Sequence, residues 1–145
     1  MADHLLRIDG ISGDSTQRGF ERWFTLTSYD WEIDGSQGGR PAGLPLVVRT
    51  LSLAGLVAVE RKAAEGARIA AVELVALASQ GRSSDWYLKL LLTDPVITAS
   101  TVSVTGAEEL ISQWSFGGYS RADITTRSKD SRGNWLPEVS ATWRA

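Results

Sequence analysis

Asp30, Glu32 and Asp34 stand at i, i+2 and i+4. On one strand that spacing turns three carboxylates to a single face, where paired acids hold a hard cation or share a proton. The same alternation puts Tyr29, Trp31 and Ile33 on the opposite face, so the competing reading is a solvated strand face backed by an apolar one. Glu108 and Glu109 are adjacent, and neighbours on a strand point apart. The glycine-rich stretch Gly35–Gly43 invites a phosphate-cradle reading, but it lacks the Gly-Lys-Ser/Thr ending of a P-loop and the G-x-G-x-x-G spacing, and strand-like residues follow it. No serine lies in a G-x-S-x-G elbow and the single histidine, His4, has no evident partner, so a Ser-His-Asp triad has no support. Six tryptophans, at 23, 31, 86, 114, 135 and 143, suit either sugar-stacking platforms or core and subunit packing. Most share parity with aliphatic residues, which favours packing.

The balance of the whole chain agrees with this shortage of chemistry. It has 145 residues, 15 Lys and Arg against 17 Asp and Glu, and no cysteine. Thiol catalysis, disulfides, Cys-type zinc sites and iron–sulfur clusters are therefore excluded, and no cofactor is expected. Basic residues such as Arg121, Arg127, Lys129, Arg132 and Arg144 are interspersed with acids, and without a net positive field nucleic acid is not an expected partner. No run of 18 apolar residues occurs, so membrane insertion is not expected either. The opening Met1-Ala2-Asp3-His4 lacks the basic and apolar regions of a signal peptide, so any export is expected by another route.

The elements that must position these residues are mostly strands. Leu5, Leu6 and Ile8 open a strand that ends in turn formers at 9–15. Phe20 to Ile33 has period two, but its phase shifts near Thr27-Ser28, as in a long strand bent by a bulge. Leu46–Leu53 reads as a further strand, and Leu56, Val59 and Ala63 recur at helical spacing before Gly66 offers a stop. Ile69–Ala78 is apolar on both parities and is read as a strand covered on both faces. Trp86–Leu92 alternates, Pro95 interrupts, and Val96–Val104 continues as a long polar strand. Leu110–Phe116 reaches a kink at Gly117-Gly118, and Arg121–Arg127 continues beyond it. A final hairpin sets Trp135, Val139, Ala141 and Trp143 on a dry face against Glu138, Ser140, Thr142 and Arg144. Seven or eight strands with one helix, in one domain over residues 1–145, describe a mainly β chain: a small antiparallel barrel or a compact sandwich.

Taken in order, these segments resemble the haemolysin-coregulated protein (Hcp) family, the tube-forming component of the bacterial type VI secretion system. The resemblance runs through the opening Leu6-Arg7-Ile8-Asp9-Gly10-Ile11-Ser12-Gly13-Asp14-Ser15 and through Tyr29-Asp30-Trp31-Glu32 before the glycine-rich loop. It continues in Leu51-Ser52-Leu53 ahead of the helix, in Ile97–Ser103 and in the closing Gly133-Asn134-Trp135 hairpin. It implies a non-enzymatic, tail-tube-like small antiparallel β-barrel with one flanking α-helix. It further implies a homo-oligomer whose hexameric rings stack into a tube, with sheath, spike and effector proteins as partners. Such a chain starts in the bacterial cytoplasm and is exported by its own apparatus. By the same resemblance, Gly35, Ser36, Gln37, Gly38, Gly39, Arg40 and Pro41 form the loop that packs on the neighbouring ring. The chain departs from the family in its shorter glycine-rich loop and in Thr105-Gly106-Ala107-Glu108-Glu109, where paired glycines are usual. Two other readings remain: a monomeric small-barrel module binding a sugar or other small ligand, and a hydrolase using Asp30, Glu32 or Asp34.

Overall fold

The computed structural model describes residues 3–35, 41–78 and 85–145. Twelve strands and one helix follow in chain order among them. They are β1 (Asp3–Ile8), β2 (Phe24–Thr25), β3 (Ser28–Asp30), β4 (Ile33–Asp34), β5 (Ala42–Gly43), β6 (Leu46–Thr50), α1 (Leu56–Glu65), β7 (Ala71–Leu77), β8 (Trp86–Thr93), β9 (Val96–Val104), β10 (Leu110–Gly117), β11 (Arg121–Thr126) and β12 (Val139–Arg144). A six-stranded sheet has the order β12-β11-β8-β7-β1-β2, a four-stranded sheet the order β3-β6-β10-β9, and β4 and β5 form a separate pair. The mainly β class with one flanking helix is as expected. The hydrogen-bonded ladders do not close, however, so the described strands form separate sheets and not one continuous barrel wall.

Leu6, Ile8, Phe24, Leu46, Val48, Val72, Leu74, Leu92, Trp114 and Phe116 fill the core between the two large sheets. Trp114 meets Phe24 edge to face at 5.1 Å. A second cluster of Leu5, Phe20, Val75, Leu77 and Trp86 covers the other face of the six-stranded sheet. That second layer is why β7 is apolar at both parities: Val72 and Leu74 serve one core, Val75 and Leu77 the other.

The phase shift at Thr27 has a different cause from a bulge. The Leu26 amide donates to His4 O (2.9 Å) in the six-stranded sheet, and the next amide, Thr27, donates to Arg49 O (2.8 Å) in the four-stranded one. The chain crosses between sheets there, so one long bent strand becomes the short pieces β2, β3 and β4.

Strands β8 to β11 make one long hairpin. β8 pairs with β11, from Leu88 opposite Thr126 to Thr93 opposite Arg121. β9 pairs with β10, from Val96 opposite Gly117 to Val104 opposite Leu110. The ribbon changes sheet at Asp94-Pro95 and Gly117-Gly118, where Arg68 Nη1 donates to Asp94 O (2.6 Å) and Gly118 O (3.0 Å). Helix α1 begins at Gly55, whose φ of +73° only glycine adopts without strain. It ends at Gly66, whose amide donates to Ala63 O.

The dry face expected of the last hairpin is not formed. Val139 is 69% exposed, Ala141 is exposed, and only Trp135 and Trp143 are half-buried. β12 lies at the sheet edge, where Trp143 reaches the core but Val139 and Ala141 stay bare.

Candidate assembly surfaces

Two long strands border the sheets, β9 and β12. Val96–Val104 contains no charge and no proline, two of the usual devices that keep an edge from pairing. Helix α1 packs beside it, and at the middle of the strand the Ser100 hydroxyl donates to the Glu60 carboxylate. Beyond that point Thr101, Val102, Ser103 and Val104 are all exposed. The Thr105 amide donates to Glu109 O (2.9 Å), which makes Thr105 and Glu109 a hydrogen-bonded pair. Along the register that joins Val104 to Leu110, alternation makes Ser103–Ile111 and Thr101–Gln113 bonded pairs too. The backbone N–H and C=O of Val102 and Val104 therefore point to the free edge.

β12 is held on its inner side by side chains as well as by its ladder. Thr142 Oγ1 donates to Asp123 Oδ1 (2.6 Å), Thr125 and Ser140 hydroxyls share a hydrogen bond (3.0 Å), and Trp143 Nε1 donates to Pro41 O (3.1 Å). The Thr142 hydroxyl, followed by Arg121, holds the Asp123 carboxyl below its ordinary range despite some desolvation. Tyr119 lies edge to face with Trp143, and its hydroxyl donates to Leu44 O (2.6 Å) and accepts from Trp31 Nε1 (3.0 Å). Burial raises the Tyr119 pKa above its usual value.

This aromatic group anchors the base of the expected ring-stacking loop. Gly35 follows β4 and Pro41 precedes β5, both exposed. Ser36, Gln37, Gly38, Gly39 and Arg40 lie outside the described residues. Trp31, Ile33, Pro41, Ile124 and Trp143 line an apolar recess of about 320 Å³, the place a small ligand would take in a binding module. Both indole N–H groups there are bonded within the chain, so neither is directed at a ligand.

The three carboxylates do not share a strand. Asp30 ends β3, Glu32 lies between elements and Asp34 ends β4. Asp30 Oδ2 is 2.9 Å from Arg49 Nη1, and Arg49 also donates to Gln113 (3.0 Å) and Ser28 (3.2 Å), a polar network across the outer face of the four-stranded sheet. Asp30 and Glu32 border an open groove of about 580 Å³. No group of three His, Asp or Glu able to hold a metal occurs among the described residues. Glu108 and Glu109 sit in the β9–β10 turn, not on a strand, and His4 packs edge to face on Tyr29.

One cluster has no counterpart in the spacing of the sequence. The Arg127 guanidinium lies 4.1 Å from the Trp86 ring and 3.9 Å from the Trp135 ring, with Lys89 over Trp86 (4.2 Å) and Lys129 over Trp135 (4.6 Å). The β8–β11 register brings Trp86 and Lys89 to Arg127, and the Lys129–Trp135 bridge returns Trp135 to the same place. The cationic spacing 127, 129, 132 was the one visible signal.

A family model described as "Type VI secretion system effector, Hcp" matches residues 5–126. A solved type VI secretion system effector from Yersinia pestis is similar with a TM-score of 0.80 at 16% identity, over 99% of this chain and 100% of that one. Hcp1 from Salmonella typhimurium gives 0.78 at 19% identity, over 99% and 95%. A further structure of a type six secretion system protein gives 0.86 at 18% identity, over 99% and 96%. At such identities the solved structures speak for the fold. No curated protein matches the chain. The family model reaches from the first core strand through β11, and on that match the chain belongs to the Hcp family of type VI secretion system proteins.

Proposed function

We propose that the chain is the repeating subunit of the inner tube of a type VI secretion apparatus, a single domain over residues 1–145 that self-assembles into hexameric rings. The rings stack into a hollow tube that carries or delivers effectors and works with the sheath and spike proteins. The subunit acts without catalysis or cofactor, starts in the bacterial cytoplasm and leaves by this route. Its two main sheets around one core serve as the barrel-like unit of the tube wall.

The observation that carries this reading is the uncharged free edge of β9, on a chain that also leaves β12 bare. Two different edges on one molecule suit a heterologous, head-to-tail contact, which closes into a ring when the rotation per copy divides a full turn. Ring closure covers edges that would otherwise recruit further strands. Gly35 to Pro41, leaving the β4–β5 pair, is the loop proposed to meet the next ring. Light scattering on the purified chain across a dilution series, with negative-stain imaging, tests the assignment. Ring-shaped particles with the mass of six chains support it; a monomer at every concentration, with Trp emission that responds to a small ligand, supports the binding module instead.

A further inference from the structure

The exposed large hydrophobic side chains of the described residues fall into three groups: Leu51, Leu53 and Val57; Val102 and Val104; Leu136 and Val139. The second and third lie at opposite ends of the ribbon made by β8–β9 and β10–β11. The two ends also differ in charge. From Pro95 to Ser120 the only charged residues are Glu108 and Glu109, and they stand at the tip beside exposed Val102 and Val104.

The base of the ribbon carries Lys89, Arg127, Lys129 and Arg132 against Asp85, Asp130 and Glu138. Two of those acids are already engaged. Asp130 Oδ1 accepts the amides of Arg132 and Asn134 (2.9 Å each), and Asp85 lies 3.7 Å from Lys129. Arg127 Nε donates to Trp86 O (2.7 Å). With the ring stack holding Arg127 and Lys129 in place, the base is a surface with one cation in excess, four against three acids, edged by Leu136 (44% exposed) and Val139 (69%). The tip is apolar and acidic; the base is apolar and basic.

We infer that the base of one copy receives the β9–β10 tip of a second copy. Val102 and Val104 meet Leu136 and Val139, and Glu108 and Glu109 meet Lys129 and Arg132. The apolar side chains supply cover, and the charges select tip-to-base over tip-to-tip or base-to-base contact, since like charges brought together are penalised. This inference rests on the tube-subunit reading and names which two surfaces join.

The test uses two charge-reversed full-length chains, E108K/E109K and K129E/R132E. All four positions are exposed, and circular dichroism checks each fold. At low salt, each variant alone is expected to need at least tenfold more protein than the parent for half-assembly by light scattering. An equimolar mixture, in which every tip again faces an opposite base, is expected to assemble at the parent's concentration. In about 1 M salt, where the screening length falls to roughly 3 Å, the difference narrows. The chain has no cysteine, so a mixture of V104C and V139C chains gives a second readout that needs no charge change. A disulfide-linked pair forms only between unlike chains if tip meets base. A parent that forms rings while both reversed variants assemble equally well, or while the cysteine mixture stays uncrosslinked, overturns this inference and leaves the tube reading standing. A parent that stays monomeric overturns both.

Discussion

Replacing Val102 with proline separates the chain's own fold from the proposed use of the β9 edge. The Val102 N–H points away from β10, as the Thr105–Glu109 hydrogen bond and the β9–β10 register require. Proline there removes no bond of the chain's own ladder, and an edge strand tolerates it when the lost N–H faces outward. The Val102→Pro monomer is therefore expected to unfold in urea within about 1 kcal/mol of the parent. A neighbouring strand on that edge loses one hydrogen bond, about 1 kcal/mol net. It also keeps a buried carbonyl without a donor, a further ~1–3 kcal/mol. Together these give about 2–4 kcal/mol per interface, a factor of roughly 30 to 1,000 in the equilibrium constant of each contact.

Thr101→Pro is the matched control. Its N–H belongs to the bonded pair with Gln113, so the same substitution one residue earlier removes an internal bond and is expected to destabilise the monomer by ~3 kcal/mol. Light scattering across a dilution series reads assembly, and a urea melt followed by tryptophan emission reads the fold. If Val102→Pro assembles at the parent's concentration, the β9 edge is not where copies pair. If it unfolds as readily as Thr101→Pro, the assignment of ladder parity is wrong.

Three further outcomes follow from the packing. Tyr119→Phe strands the Leu44 carbonyl and the Trp31 N–H; both residues are half-buried, so water replaces part of the loss, and a urea melt should show ~1–2 kcal/mol. Gly55→Ala forces a left-handed alanine whose Cβ would lie 2.7 Å from Phe24 Cζ and 3.0 Å from Ser12 O; about 3 kcal/mol of destabilisation is expected in the same melt, and a neutral result would contradict the close approach. Asp123 has a lowered folded pKa, so its contribution is full above the unfolded value of about 4 and fades as pH falls through the folded value. The protection factors of the β12 amides, taken after correction for the intrinsic slowing of exchange in acid, should fall over that acid range, and Asp123→Asn should remove the dependence.

Alternation in the sequence located most strands because it reports which side of a strand meets a core. The two-sided apolar run Ile69–Ala78 became β7 because two layers cover it. The shift at Thr27-Ser28 marked a real discontinuity, but period alone does not distinguish a bulge from a chain that leaves one sheet for another. That distinction depends on Arg49 O and His4 O, acceptors distant in sequence. The same break separated Asp30 from Asp34, and the carboxylate face was lost with the strand that would have built it. Of the Trp86–Arg127–Trp135 stack only the cationic spacing showed, since Trp86 reaches Arg127 through the β8–β11 pairing and Trp135 through the turn that bridges it to Lys129.

The mismatch at β12 carries a different lesson. Val139, Ala141 and Trp143 alternate with polar residues as they would on a covered strand, yet Val139 and Ala141 are bare in the single chain. Exposed valine on an edge is a liability for a protein that works alone. In a subunit it marks where cover must come from outside. Val102 and Val104 pose the same problem at the far end of the ribbon, and the proposed head-to-tail contact would resolve both at once, because each copy would offer one end and receive the other. In the proposed ring the pattern along β12 would be that of a core strand, covered by the neighbouring copy.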